Sequence, residues 1–92
     1  MPAPVEITIY TTRTCPYCRA AKDLLNKKNL AFTEIPVDGD SEARYKMTER
    51  ANGRTSVPQI FFNDHHIGGC DDLQELNWNG QLDIMLADIA AR

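Results

Sequence analysis

The alternation of Val5, Ile7 and Ile9 with Glu6, Thr8 and Tyr10, followed closely by a helical stripe and a second apolar run, constrains the fold more than any other feature of the chain. A period of two marks a strand, here ending at about Tyr10. Pro16 then stands where a helix accepts a first-turn proline, because the missing N–H would be an orphan there in any case. Ala20, Ala21, Leu24 and Leu25 give that helix its inward stripe, and Lys27-Lys28-Asn29 suit its C-terminal end. A second strand is expected across Ala31 to Val37. Strand, helix and strand in such close succession require a right-handed crossover, so the two strands should be parallel neighbours.

Asp38-Gly39-Asp40-Ser41 supplies a turn and a helix cap, and Ala43, Met47 and Ala51 recur at helical spacing until Gly53. Val57-Pro58-Gln59-Ile60-Phe61-Phe62, the turn Asn63-Asp64 and His65-His66-Ile67-Gly68 make a hairpin. Asp71 and Asp72 open a helix through Leu73 and Leu76, and Leu82, Met85, Leu86 and Ile89 mark a last one to about Ala90. Trp78 is expected to pack between these two helices. The order β-α-β-α-β-β-α-α predicts a mixed four-stranded α/β sandwich with helices on both faces. Its 92 residues suit a single domain, 1–92, with one core, so any chemistry should sit at the surface.

The formal charge of −3 argues against nucleic acid as the main partner. No apolar run approaches the roughly 18 residues that cross a bilayer, so no membrane partner is expected. Met1-Pro2-Ala3-Pro4 lacks the layout of a secretory signal, which points to a cytoplasmic protein. Three cysteines are too few, and odd in number, for a disulfide scaffold.

Two of the three stand in Cys15-Pro16-Tyr17-Cys18, at the junction of the first strand and first helix. A side chain there faces unpaired backbone N–H groups and the positive end of the helix dipole, which favour thiolate over thiol. Arg13 adds charge of the same sign. Cys18, one turn inside, has fewer free donors and should stay protonated until needed. Cys15 is therefore expected to attack disulfides and Cys18 to resolve the adduct. A zinc centre needs four ligands, and with only Cys70, His65 and His66 as further candidates at unsuitable spacing, no metal site is expected.

Cys15-Pro16-Tyr17-Cys18 after a short strand, Ser56-Val57-Pro58 before the hairpin, and Gly68-Gly69-Cys70-Asp71-Asp72 opening a helix together resemble a dithiol glutaredoxin over almost the whole chain. The resemblance implies a thioredoxin-like three-layer sandwich and reduction of protein disulfides and protein–glutathione mixed disulfides. Glutathione would be co-substrate, with no bound cofactor, and the chain a monomer acting on disulfide-containing or glutathionylated proteins. The bond before Pro58 would be cis, an isomer accessible mainly to proline, and the Val57 backbone would pair with the cysteinyl backbone of glutathione as a short added strand. Gly69, Cys70, Asp71 and Asp72 would hold the γ-glutamyl end, its carboxylate on backbone N–H groups and its ammonium on an aspartate. Tyr17 resembles the tyrosine flanking the thiol groove, and Arg44 the residue that meets the glycyl carboxylate. Ser56 and Arg13 complete the expected glutathione contacts. Many glutaredoxins carry Lys or Arg three residues before the first cysteine; that position is Thr12 here, with Arg13 displaced by one.

Cys70 would lie near the groove, either as a further redox-active thiol or as a small buried residue. Two rival functions share these residues: a redoxin served by thioredoxin reductase, and a carrier that bridges an iron–sulfur cluster through Cys15 and glutathione. Asp71-Asp72 favours glutathione over the first, and Pro16 disfavours the second by resemblance.

Overall fold

The structure is a computed structural model that describes residues 5–90. The Met1-Pro2-Ala3-Pro4 opening lies outside the described residues. Eight elements follow in the expected order: β1 (Ile7–Thr11), α1 (Pro16–Lys27), β2 (Thr33–Pro36), α2 (Ser41–Arg50), β3 (Gln59–Phe62), β4 (His65–Gly68), α3 (Cys70–Trp78) and α4 (Gln81–Ala90). The sheet runs β2-β1-β3-β4. β1 is parallel to β2, with Tyr10 opposite Ile35, and antiparallel to β3, with Ile9 opposite Ile60. β3 and β4 form the antiparallel hairpin.

The alternation in β1 divides its residues between two buried faces rather than between core and water. Ile7 and Ile9 join Ala21, Leu25, Ile60, Phe62, Leu73, Leu82 and Ile89 in the larger core, beneath α1, α3 and α4. Tyr10 turns the other way, to Val37, Met47, Ala51 and Phe61 under α2. Three layers result, with α2 alone on one side.

The termini of these helices obey local rules. α1 ends at Lys27, and Asn29 takes the left-handed conformation at φ 58° while the Leu30 N–H returns to the Leu25 carbonyl at 2.9 Å. α2 starts with the Asp40 carboxylate accepting from the Ala43 N–H at 3.0 Å, and Asn52 and Gly53, both at positive φ, turn the chain away after it. Two expected boundaries move. β2 is shorter than Ala31–Val37, and β3 begins at Gln59, just after the cis Val57–Pro58 bond.

Trp78 corrects the sequence reading. It is 92% exposed and does not pack between α3 and α4. Cys70, Leu73 and Leu76 form the inward stripe of α3, and Trp78, five residues past Leu73, points about 140° away from it on a helix of 3.6 residues per turn. Met85 and Leu86 of α4 pack against the core that Trp78 was expected to fill.

Sheet pairing places the site. Tyr10 at the end of β1 pairs with Gln59 at the start of β3, and Ile60 pairs with Gly68 at the end of β4. The loop entering α1, the Ser56-Val57-Pro58 segment and the Gly68-Gly69 turn into α3 therefore converge at one end of the sheet.

Candidate active site

Cys15 is the N-cap of α1. Its backbone is extended, and its sulfur accepts the Cys18 N–H at 3.1 Å. Pro16 follows at the first helical position, so the proline removes a donor that the helix start has no use for. Cys15 is half-buried, and its sulfur stands 3.8 Å from the Val57 carbonyl oxygen, a long contact in which the thiol can donate. Cys18 is different. It is 1% exposed, and its thiol is pushed up to about 12, by burial first and by its hydrogen bond with Cys15 second. One sulfur is presented at the surface with a backbone donor trained on it, and the other is stored protonated beneath.

A cleft of about 310 Å³ opens beside this pair, lined by Tyr17, Arg54, Ser56, Val57, Pro58, Gly69, Cys70, Asp71 and Asp72. Cys15 stands at its edge, between this cleft and a second groove formed by Thr12, Arg13, Thr14, Pro16, Cys18, Arg19 and Lys22. Seven of the expected glutathione residues thus share one wall system with Tyr17, 64% exposed, on the near side.

The far wall is the start of α3. Gly69 is its N-cap and Cys70 its first residue. The Asp72 carboxylate reaches back to the Gly69 N–H at 2.8 Å and meets the Arg54 guanidinium at 3.4 Å. Gly68, at φ 120°, is required as glycine: a Cβ there would run into the Asp72 carboxylate. With Asp72 engaged in this way, Asp71 is the exposed carboxylate of the rim. Cys70 is 4% exposed, and burial first, then Asp71 and Cys15, push its thiol up. Burial, and then the Arg54 charge, hold the His66 imidazole behind this wall below its ordinary range.

Two residues from the sequence reading stand apart. Arg13 lines the second groove and pairs with Asp38 at 3.6 Å. Arg44 does not line the cleft; its guanidinium donates to the Thr55 carbonyl at 3.0 Å and so braces the loop that enters the cleft wall. The cation in the cleft is Arg54, which sequence reasoning passed over. Its one sequence signal is a basic residue in the loop just before Ser56-Val57-Pro58.

The chain is similar to known proteins in sequence and fold. A family model described as Glutaredoxin matches residues 7–67. The chain is 52% identical over 81 residues to glutaredoxin 3 of Escherichia coli K12, covering 88% of this chain and 96% of that protein. It is 51% identical over 86 residues to a probable glutaredoxin of Synechocystis, covering 94% and 98%. Among solved structures, the glutaredoxin of Brucella melitensis matches with a TM-score of 0.80 at 46% identity, covering 94% of each chain. A buckwheat glutaredoxin–glutathione complex matches with a TM-score of 0.79 at 27% identity, covering 91% of this chain and 78% of the other.

Proposed function

The chain belongs to the glutaredoxin family, with its thioredoxin-like fold and thiol–disulfide oxidoreductase activity, and on that footing we propose that glutathione is its reductant and Cys15 its nucleophile. The observation that carries this reading is the Cys15 sulfur at the α1 N-cap, receiving the Cys18 N–H at the edge of the Val57–Asp72 cleft. A hydrogen bond donated to sulfur favours the charged form, and the thiolate is the attacking species.

In the one-cysteine route, Cys15 thiolate attacks the glutathionyl sulfur of a mixed disulfide. The old S–S bond breaks, and the substrate thiolate leaves and takes a proton from water. The thiolate of a second glutathione then attacks the glutathionyl sulfur bound to Cys15, which yields oxidised glutathione and returns the Cys15 thiolate. In the two-cysteine route, Cys15 opens a protein disulfide. Cys18 then loses its proton and attacks the Cys15 sulfur, and the substrate thiol is released. Two glutathiones reduce the resulting Cys15–Cys18 bond. Cys18 pushed up to about 12 suits this order, since it leaves the first step to Cys15 alone.

The cleft supports the tripeptide as follows. The Val57 backbone is available to pair with the cysteinyl unit. The start of α3 offers N–H groups to the γ-glutamyl carboxylate, with Asp71 placed to receive the ammonium. Arg54, 3.4 Å from Asp72, adds its charge at this γ-glutamyl end, and the glycyl carboxylate lies toward the opposite end of the cleft. The buckwheat protein solved with glutathione has the same fold, which supports this placement. Glutathione acts here as co-substrate, with no resident cofactor, and the chain acts as a monomer in the cytoplasm.

The test supplies either glutathione with its reductase or thioredoxin reductase to a glutathionylated peptide and to a disulfide-bonded protein. Turnover is expected with glutathione only. Cys15→Ser should lower both activities by at least about 10³-fold, as removal of an enzymic nucleophile does. Cys18→Ser should keep deglutathionylation and lose protein disulfide reduction. Loss of both in Cys18→Ser would overturn the division of roles, and turnover with thioredoxin reductase alone would overturn the reductant.

A further inference from the structure

Behind the cleft wall, Gln59 is a polar side chain with 0% exposure and every amide group engaged. Its Nε2 donates to the Ser56 carbonyl at 3.0 Å and lies 3.3 Å from the Ser56 hydroxyl. Its Oε1 lies 2.7 Å from His66 Nε2. A carbonyl only accepts, so the amide nitrogen must face Ser56 and the amide oxygen must face His66. The proton in that 2.7 Å contact therefore belongs to His66 Nε2. The imidazole is held in turn by stacking on Phe61, with centroids 5.0 Å apart and rings 28° from parallel. A continuous chain runs from β4, through Gln59, to the residue before Val57.

The carbonyls leading to the cleft edge are tied in sequence. Thr55 O is bound by Arg44 and Ser56 O by Gln59, and Val57 O is the one turned to the Cys15 sulfur. We propose that the His66–Gln59–Ser56 chain is a positioning device: it fixes the Val57 edge, so that His66 and Gln59 set the affinity for glutathione without touching it. This rests on the glutathione reading of the cleft. An added strand binds only where the receiving backbone is held in extended register, and ordering a loose edge on binding would subtract from affinity. Cys15 is held directly by the Cys18 N–H and the α1 start, and only the long 3.8 Å contact with Val57 O links its sulfur to this chain, so the attacking sulfur should feel the chain far less than glutathione does.

Two substitutions break the chain at different residues. His66→Phe keeps a ring over Phe61 and removes the donor to Gln59. Gln59→Met keeps the length and packing of the side chain and removes both the acceptor for His66 and the donor to Ser56. Each should raise the KM for glutathione about five- to tenfold, as loss of one hydrogen bond does, with kcat at saturating glutathione within about twofold. The double variant should be no worse than Gln59→Met alone, because the links act in series. His66→Gln, which restores an N–H donor at similar reach, should return KM to near the starting value. The backbone amide resonances of Ser56 and Val57 should move in His66→Phe and return in His66→Gln. Should His66→Phe not fold, Gln59→Met carries the same KM and resonance readouts. Unchanged KM with unmoved resonances, or equal impairment in His66→Gln and His66→Phe, would overturn the proposal. If the unaltered protein shows no saturable dependence on glutathione, the reading of the cleft fails, and the resonances alone decide the tether.

Discussion

The starts of α1 and α3 border the same cleft, and each carries a cysteine. In α1 the cysteine is the N-cap, outside the helix, with its sulfur turned back onto the Cys18 N–H at 3.1 Å. In α3 the cysteine comes one residue later, and the N-cap is Gly69, which has no side chain to offer. The first turn of α1 holds no acidic residue, whereas that of α3 holds Asp71 and Asp72. Asp72 spends its carboxylate on the Gly69 N–H, and burial first, then Asp71, oppose ionisation of the Cys70 thiol. A helix N-terminus therefore does not by itself activate a thiol. The thiol must be the capping group, partly open to solvent, with no carboxylate competing for the same end of the dipole. The two starts thus present their thiols differently, Cys15 at the cap and partly open, Cys70 buried in the first turn.

The largest expected difference between the two starts is in alkylation of the reduced protein. Iodoacetamide at pH 7.5 should label Cys15 about 10²-fold faster than Cys70, read by peptide mass spectrometry over time, because Cys15 is partly open to solvent whereas Cys70 is buried and its ionisation is pushed up. Cys70, with its ionisation pushed up by burial and Asp71, should gain reactivity only as pH rises beyond the ordinary thiol range. Cys18, pushed up to about 12, should stay unlabelled throughout. Comparable labelling of Cys15 and Cys70 at pH 7.5 would break the contrast. Cys70→Ser should accordingly leave turnover within about twofold.

How much of this contrast was legible in the sequence differs between the two starts. The α1 start was readable because its determinants are local: strand alternation stopping at Tyr10, Pro16 at the first helical position, and two cysteines three residues apart. The order of elements follows from the same local periodicities, and the parallel pairing of β1 and β2 from the crossover rule. At the α3 start, Asp71 and Asp72 were legible as a cap. Which of the two caps, and which stays exposed, depends on the turn at Gly68-Gly69 and on Arg54, eighteen residues upstream of Asp72. Arg44 lies in the first turn of α2 and Arg54 four residues past its end, and only the folded path of the loop between α2 and β3 brings Arg54 into the cleft while Arg44 braces Thr55. Trp78 stays on the outer face because the angular positions of Leu73 and Leu76 already close the inward face of α3.

Stability separates the same two regions by a smaller margin. Asp72→Ala removes the acceptor for the Gly69 N–H and should cost about 1 kcal/mol, the usual cost of losing a helix cap. The half-exposed ion pair with Arg54 at 3.4 Å adds little to that. Cys15→Ser places a preferred capping residue at the start of α1, so its urea midpoint should match that of the unaltered protein even though its activity is lost. A clear loss of stability in Cys15→Ser, or none in Asp72→Ala, would mean that the two helix starts are held by something other than these caps.

The smallest expected effect concerns the charge around Cys15. Arg13, Arg19 and Lys22 line the groove on its far side from the cleft, and together they look like an electrostatic aid to the thiolate. Two of the three are already engaged, Lys22 with Glu34 at 3.0 Å and Arg13 with Asp38 at 3.6 Å. The Arg13 side chain is also 89% exposed, so water and salt screen it from the sulfur. Arg13→Gln should therefore slow alkylation of Cys15 by less than about twofold at low ionic strength, with the difference vanishing near 1 M salt, where the Debye length falls to about 3 Å. A tenfold slowing would place the control of Cys15 in surface charge rather than in the backbone donor at the helix start. The contrast with α3 would then rest on which side of the cleft carries the cations, not on which residue caps the helix.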